Sequence, residues 1–338
     1  MLPGMILRPK PSPLLHAQPP GTEPFAPLAP VPAWLRRALE TSQTLEDAAI
    51  AAGAAIGALD AVVRRRERWA GVWRQRLALA AAAATARQAG RVEDEAALRD
   101  TVLLTRPGDD VGPAGLLLLA WRRLIARPVR EFLTEPSLAA VLEEFGFARD
   151  GTSVSDLADE LRQLGASAGT VGMLTGAFMA AERHDLGRAV GAWLADALLA
   201  QRLSWVHAVP LLGIEVASAM SPGRSRRAAT VMAGAGIEAG SERAKSLLAS
   251  QTRAALRAID LSAELGRRAD RLLAVAPKLR ARAADSVVDK LLSDDAIVAS
   301  QEIAGMSDRG LRRLFDRLVE LGAVRELSGR STFRIYGI

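Results

Sequence analysis

The chain has 338 residues, 49% of them hydrophobic and 24% charged, with a formal net charge of +6. It contains no cysteine, which excludes disulfides and thiolate metal sites. Aromatics make up only 4%, and helix formers such as Ala, Leu and Arg outweigh the β-branched and aromatic strand formers, so a mainly α protein is predicted.

The positive charge suits an anionic partner such as nucleic acid. Only four of the 44 basic residues are lysine, however, and an Ala- and Arg-rich vocabulary is what GC-rich coding writes everywhere. Placement therefore counts for more than the total. Residues 1–32 hold ten of the seventeen prolines. Proline fixes φ and removes a backbone donor, so this stretch reads as a disordered or polyproline-like arm.

The helical body is predicted over 33–280. Thr44 is an N-cap ahead of acidic Glu46 and Asp47, and a helix follows over Ala48–Val63. Its Gly53-xxx-Gly57 spacing predicts a close helix approach. With Asp60 inside it, the apolar run falls short of the roughly 20 residues a membrane span needs. Arg64–Arg68 forms a basic cluster, read as a helix end and a minor DNA-contact candidate. A helix with an alanine run at Ala80–Ala84 comes next, then one opened by Arg91–Glu95 and ended at Pro107–Asp110. Leu116–Ile125, with Trp121, reads as buried. Short helices are expected at 136–144 and 155–164, the second capped by Ser153–Asp156.

The helix over Gly187–Leu203 ends in DALLAQRLSW, Asp196–Trp205, which echoes DAVVRRRERW, Asp60–Trp69. The echo suggests a duplicated helical unit, 44–150 and 168–275. It also defines a candidate pocket of Asp60, Trp69, Asp196, Trp205 and His207. Ser221–Arg227 reads as a basic exposed loop. A helix from Ser246 to Val275 carries Leu265 and Leu272, with Leu279 beyond it, at seven-residue spacing, which admits a homodimer seam.

No metal-ligand pair at helical spacing, phosphate-binding loop or nucleophile elbow occurs, so neither catalytic residues nor a metal or cofactor are indicated. Gly234–Gly240 has the wrong spacing for a dinucleotide fingerprint and follows no strand. For Asp60 the expected role is an ion pair with Arg64 four residues on.

The last segment, 281–338, is the most informative. Val287, Val288, Leu291 and Leu292 give a first helix one apolar face, and Ala299–Ala304 reads as a short second helix closed by Gly305. Ser307 then caps a third, with Leu311, Leu314, Phe315, Leu318 and Leu321 on one stripe and Gly322 as its C′ glycine. Arg309, Arg312, Arg313 and Arg317 lie on the opposite face, with the basic half N-terminal, where recognition helices meet the major groove. A hairpin follows, Ala323–Leu327 and Thr332–Tyr336, with Phe333 and Ile335 inward and Arg330 and Arg334 outward. From Met306 onward seven arginines face four acids.

LFDRLVELGAVREL (314–327) and STFRIYGI (331–338) resemble the MarR-like winged-helix type, which implies a DNA-contacting third helix and hairpin wing. WAGVWRQRLAL (69–79), EDEAALRD (93–100) and GPAGLLLLAWRRL (112–124), with the terminal segment, resemble an uncharacterised alphaproteobacterial family, often plasmid-borne. That resemblance implies the architecture and no activity.

The predicted fold is thus a mainly α, multi-helical bundle or short superhelix with a C-terminal winged helix of three helices and a β-hairpin. The predicted function is a cytoplasmic DNA-binding regulatory protein whose partner is double-stranded DNA, with no membrane association. Two alternatives stay open: a helical interaction scaffold whose winged helix binds no DNA, and a small-molecule-binding or enzymatic helical domain.

Overall fold

Thr44 opens the first long helix as expected: its Oγ1 accepts from Asp47 N–H at 3.1 Å. The computed structural model describes residues 31–41, 44–106, 108–148, 150–215, 233–279, 283–330 and 332–338. The proline-rich arm up to residue 30 and the Ser221–Arg227 loop lie outside the described residues.

The protein is mainly α. Helix α1 covers Ala33–Thr41, α2 Leu45–Arg64, α3 Ala70–Gln88 and α4 Glu95–Leu104. Next come α5 (Gly112–Ala126), α6 (Glu135–Glu144), α7 (Gly151–Ser167), α8 (Thr170–Arg183) and α9 (Gly187–Arg202). The long α10 spans Ala233–Val275. The chain then runs through α11 (Ala284–Ser293), β1 (Ile297–Val298), α12 (Asp308–Glu320), β2 (Arg325–Glu326) and β3 (Ile335–Gly337). Among the described residues no helix is long and apolar enough to cross a membrane.

Helix α2 packs along α10. Its buried side is an alanine stripe of Ala48, Ala51, Ala52 and Ala55. Gly53 and Gly57 instead face solvent with nothing near their Cα hydrogens, so alanines, not the glycine pair, bring these helices together. The alanine run of α3 is buried against α5, where Trp121 is enclosed and donates from Nε1 to Thr85 Oγ1 at 3.0 Å. A side chain at Gly213 would collide with the Trp121 ring at 2.2 Å, so glycine is the residue that lets this loop close over it. Helix α7 begins earlier than predicted because Asp150, not Ser153, is the cap: Asp150 Oδ1 accepts from Ser153 N–H at 2.7 Å. Leu265 and Leu272 are buried in this chain's own core, so the heptad spacing serves internal packing.

The C-terminal segment departs from the prediction in three places. Ala299–Ala304 is not a helix. Six residues return too few helical hydrogen bonds to offset nucleation, and the local donors are claimed elsewhere: Ala299 N–H bonds Arg334 O, and Gln301 N–H bonds Val298 O, each at 3.0 Å. Ile303 and Met306 close a small bridge around Gly305, whose φ is +80°. An unpredicted strand, β1, joins the hairpin, giving the antiparallel order β1-β3-β2 with Ile297 opposite Tyr336 and Glu326 opposite Tyr336 on the other side. Phe333 is exposed, not inward: its φ of +55° takes it out of the strand alternation that buries Ile335.

Helix α12 is as the spacing predicted along most of its length. Ser307 Oγ accepts from Gly310 N–H at 3.2 Å, and Leu311, Leu314, Phe315 and Leu318 are buried. Gly322 N–H bonds Val319 O, and Ala323 N–H bonds Leu318 O, a paired closure that a left-handed glycine makes possible. Leu321, placed on the apolar stripe by spacing, is the helix's C-cap and lies exposed. The stripe packs on the sheet, where the Phe315 and Tyr336 rings stack with centroids 4.3 Å apart.

Candidate functional site

The first candidate surface is the outward face of α12. Arg309, Arg312 and Arg313 are exposed and have no hydrogen-bond or ion-pair partner among the described residues. Their neighbours differ. Arg317 is paired with Glu320 at 2.6 Å, and Arg330 with Asp100 of α4 at 2.7 Å. Arg334 is exposed and bonded to Tyr336, a bond that raises its already high pKa. Ser307 is spent on capping the helix. Of the seven residues named from the sequence for DNA contact, three are thus free cations on one turn and a half of helix, and Arg330 is tied to the helical body.

That tie is one of several holding the C-terminal segment down. Asp295, between α11 and β1, is buried between two arginines of the body. Arg99 Nε lies 2.5 Å from its Oδ2, and Arg76 pairs with Oδ1. Arg76 and Arg268 also donate to Ile338 O, each at 3.3 Å. On the other side Arg68 reaches Asp289 of α11 at 3.0 Å. Gly71 of α3 passes so close to α11 that an added Cβ would stand 2.6 Å from Ser293 Cα. The segment is docked by charge and by backbone contact, while the Arg309–Arg313 face stays open.

The second candidate is the set drawn from the sequence echo. Asp60 does pair with Arg64, Oδ2 to Nε at 2.7 Å, and its Oδ1 accepts from Trp205 Nε1 at 2.7 Å. Burial works against the charged form of Asp60, but the bonds from Arg64 and Trp205 outweigh it and hold the carboxyl below its usual range. The two echoing segments therefore meet through Asp60 and Trp205. The meeting is not reciprocal. Trp69 lies against Gly266 of α10, with its Nε1 buried and unpartnered. Asp196 is buried and accepts from the N–H groups of Leu211, Leu212 and Gly213 at 2.8 to 3.3 Å. Burial pushes its pKa up to about 7 against those three donors.

Trp205 and His207 do line a cavity of about 460 Å³ between the α2–α3 corner and the loop after α9. Asp60 supports its wall through Trp205; Trp69 and Asp196 are not part of the lining. Arg74 on α3, which the sequence did not single out, completes it with Arg66 from the basic cluster. Arg66 has a φ of +49°. His207 is shifted below the usual imidazole range: burial disfavours the cation first, and Arg74 and Arg66 repel it, against the opposing pull of the Arg127 and Ile125 backbone carbonyls. A larger groove of about 750 Å³ runs between α7, α9 and the start of α6, but its cations are engaged. Arg202 there donates to the carbonyls of Gly165 and Ala168, and Arg162 pairs with Asp159.

Residues 23–338 match the model of a protein family described as a protein of unknown function, DUF1403, and the chain belongs to that family. No curated protein matches the chain.

Proposed function

We propose that the protein binds double-stranded DNA through α12, with the β2–β3 hairpin as a winged-helix wing of the MarR-like kind. The observation that carries this reading is the open, unpaired set Arg309, Arg312 and Arg313 on the N-terminal half of a helix whose other face is buried. Guanidinium groups left without a carboxylate suit phosphate oxygens and the acceptor edge of guanine. The order α11, β1, α12, β2, β3, with β3 central, supports the winged-helix assignment. The turn at Ala299–Ala304 stands where a second helix would normally support the reading helix.

The Arg330–Asp100 pair gives this wing an altered role: its tip braces the body and leaves α12 as the main contact. The same docking favours a second reading, in which the segment is a structural part of a helical scaffold and the arginine face meets an acidic protein. The experiment is genomic footprinting with the full chain beside Arg312→Ala/Arg313→Ala. Protected duplex sites lost in the variant support DNA binding. Absence of protection by the full chain at low salt overturns it and leaves the scaffold reading.

A further inference from the structure

The cavity beside Trp205 and His207 holds an imbalance that the fold does not explain. Arg74 is largely withdrawn from water, which lowers its pKa, yet it meets no carboxylate and no carbonyl among the described residues. Arg66, itself exposed, lines the same space without a partner, from a left-handed backbone. His207 Nδ1 is buried and makes no hydrogen bond of full geometry, although the backbone carbonyls of Arg127 and Ile125 lie close enough to favour the ring's protonated form. The other charges of this corner are matched: Arg64 and Arg68, which line the same cavity, by Asp60 with Leu203 O and by Asp289, and the one carboxylate of the lining, Glu67, by Arg65. An unpaired, half-buried guanidinium costs stability, and folded chains seldom retain one without use.

We propose that this cavity is a binding site for a small organic oxyanion, an apolar body carrying one carboxylate or phosphate group. Arg74 and Arg66 take the oxyanion as paired guanidinium donors, geometry that suits two-oxygen head groups. His207 contributes through Nδ1, as a donor when that nitrogen carries the proton. Trp205 and Val209 provide the apolar wall, and the bond from Trp205 Nε1 to Asp60 fixes the indole in place. A volume of about 460 Å³ is that of a small-molecule site and excludes a polymer. This inference does not depend on whether α12 reads DNA.

The test uses the full chain and three probes, benzoate, phenyl phosphate and inorganic phosphate, measured by calorimetry and by thermal shift. Arg74→Met keeps the aliphatic stem and removes the charge. Arg66→Asn keeps a residue that tolerates positive φ. Benzoate or phenyl phosphate is expected to bind at least ten-fold more tightly than inorganic phosphate, and which of the two wins identifies the head group. Each variant is expected to weaken that binding at least ten-fold. Without ligand, Arg74→Met is expected to melt no lower than the native chain, since it removes an uncompensated charge. The proposal is overturned if no probe binds at millimolar concentration, if both variants bind as the native chain does, or if ligand-free Arg74→Met melts lower by several degrees. Equal loss of duplex DNA affinity in both variants, with no probe bound, would reassign these arginines to the phosphate backbone and overturn it as well.

Discussion

Arg99 Nε and Asp295 Oδ2 stand 2.5 Å apart, and both side chains are almost wholly out of solvent. They come from α4 and from the link between α11 and β1, so the pair clamps the C-terminal segment to the body. Arg76 joins the same carboxylate, and Arg122, also withdrawn from water, lies close enough to feel its charge. One aspartate thus answers for several buried cations. Burial lowers the pKa of Arg76, and the charge of Asp295 partly restores it.

Removing that carboxylate is therefore expected to be costly. Asp295→Ala leaves Arg99 and Arg76 buried without compensation, a loss of about 3–5 kcal/mol by analogy with broken buried pairs. Denaturant titration measures the size. Hydrogen exchange locates it: amides of α11, β1 and β3 are expected to lose protection before those of α2 and α3. A loss below 1 kcal/mol would show that water reaches the arginines and the clamp is weak.

The arginine face of α12 predicts a different signature. Each phosphate contact removed should make the slope of log K against log salt less steep by about 0.9. Arg312→Ala/Arg313→Ala is then expected to reduce the slope by about 1.8 if both residues touch phosphate, with melting temperature unchanged because neither residue has a partner to lose. Fluorescence anisotropy across a salt series checks it. A slope that does not move would place both residues off the backbone, and a shift in base preference would then indicate groove contact.

The Asp295 clamp and the arginine face of α12 differ in how much of each is legible in the residues alone. Helix α12 was readable because three local signals agree: a serine cap, a 3.6-residue apolar stripe and a closing glycine. The strand β1 was not, since Ile297–Val298 is two residues long and exists only because β3 offers it a partner. For the same reason Ala299–Ala304, helical by composition, is held as a turn: Ala299 N–H bonds Arg334 O, 35 positions away, while Gln301 N–H turns back to Val298 O. The Asp295 clamp joins residues 196 positions apart, a distance no local pattern reports. In the cavity, the echo drew attention to Trp205 and His207. Arg74 carries no such signal, because a sequence counts charges and does not show which have partners.

Asp196 gives a pH test. Its folded pKa is raised to about 7, while the unfolded carboxyl keeps the ordinary value of 3.8. Between these values the folded state binds the extra proton, so stability falls as pH rises from about 4 to about 7 and is flat above. Asp196→Asn cannot titrate. The melting temperature of the native chain minus that of Asp196→Asn is therefore expected to decline across that window and then level off. A difference that grows with pH would mean that the three N–H donors from Leu211, Leu212 and Gly213 outweigh burial and keep the carboxylate charged.

Gly71 supplies the last test, because it separates docking by shape from docking by charge. An added Cβ there meets the Ser293 backbone at 2.6 Å, and neither α3 nor α11 has a flexible side chain at that contact to give way. Overpacking of this kind costs about 1–3 kcal/mol. Gly71→Ala should do so by lifting α11, so it is expected to weaken the same interface that Asp295→Ala weakens. Once one change has undocked the segment, the second has less left to break. A double-mutant cycle by denaturant titration is then expected to fall short of additivity by about 0.5–3 kcal/mol, the range for sites sharing one structural element. Strict additivity would mean that α11 and the β1–β3 sheet are held by the body independently, each by its own contact.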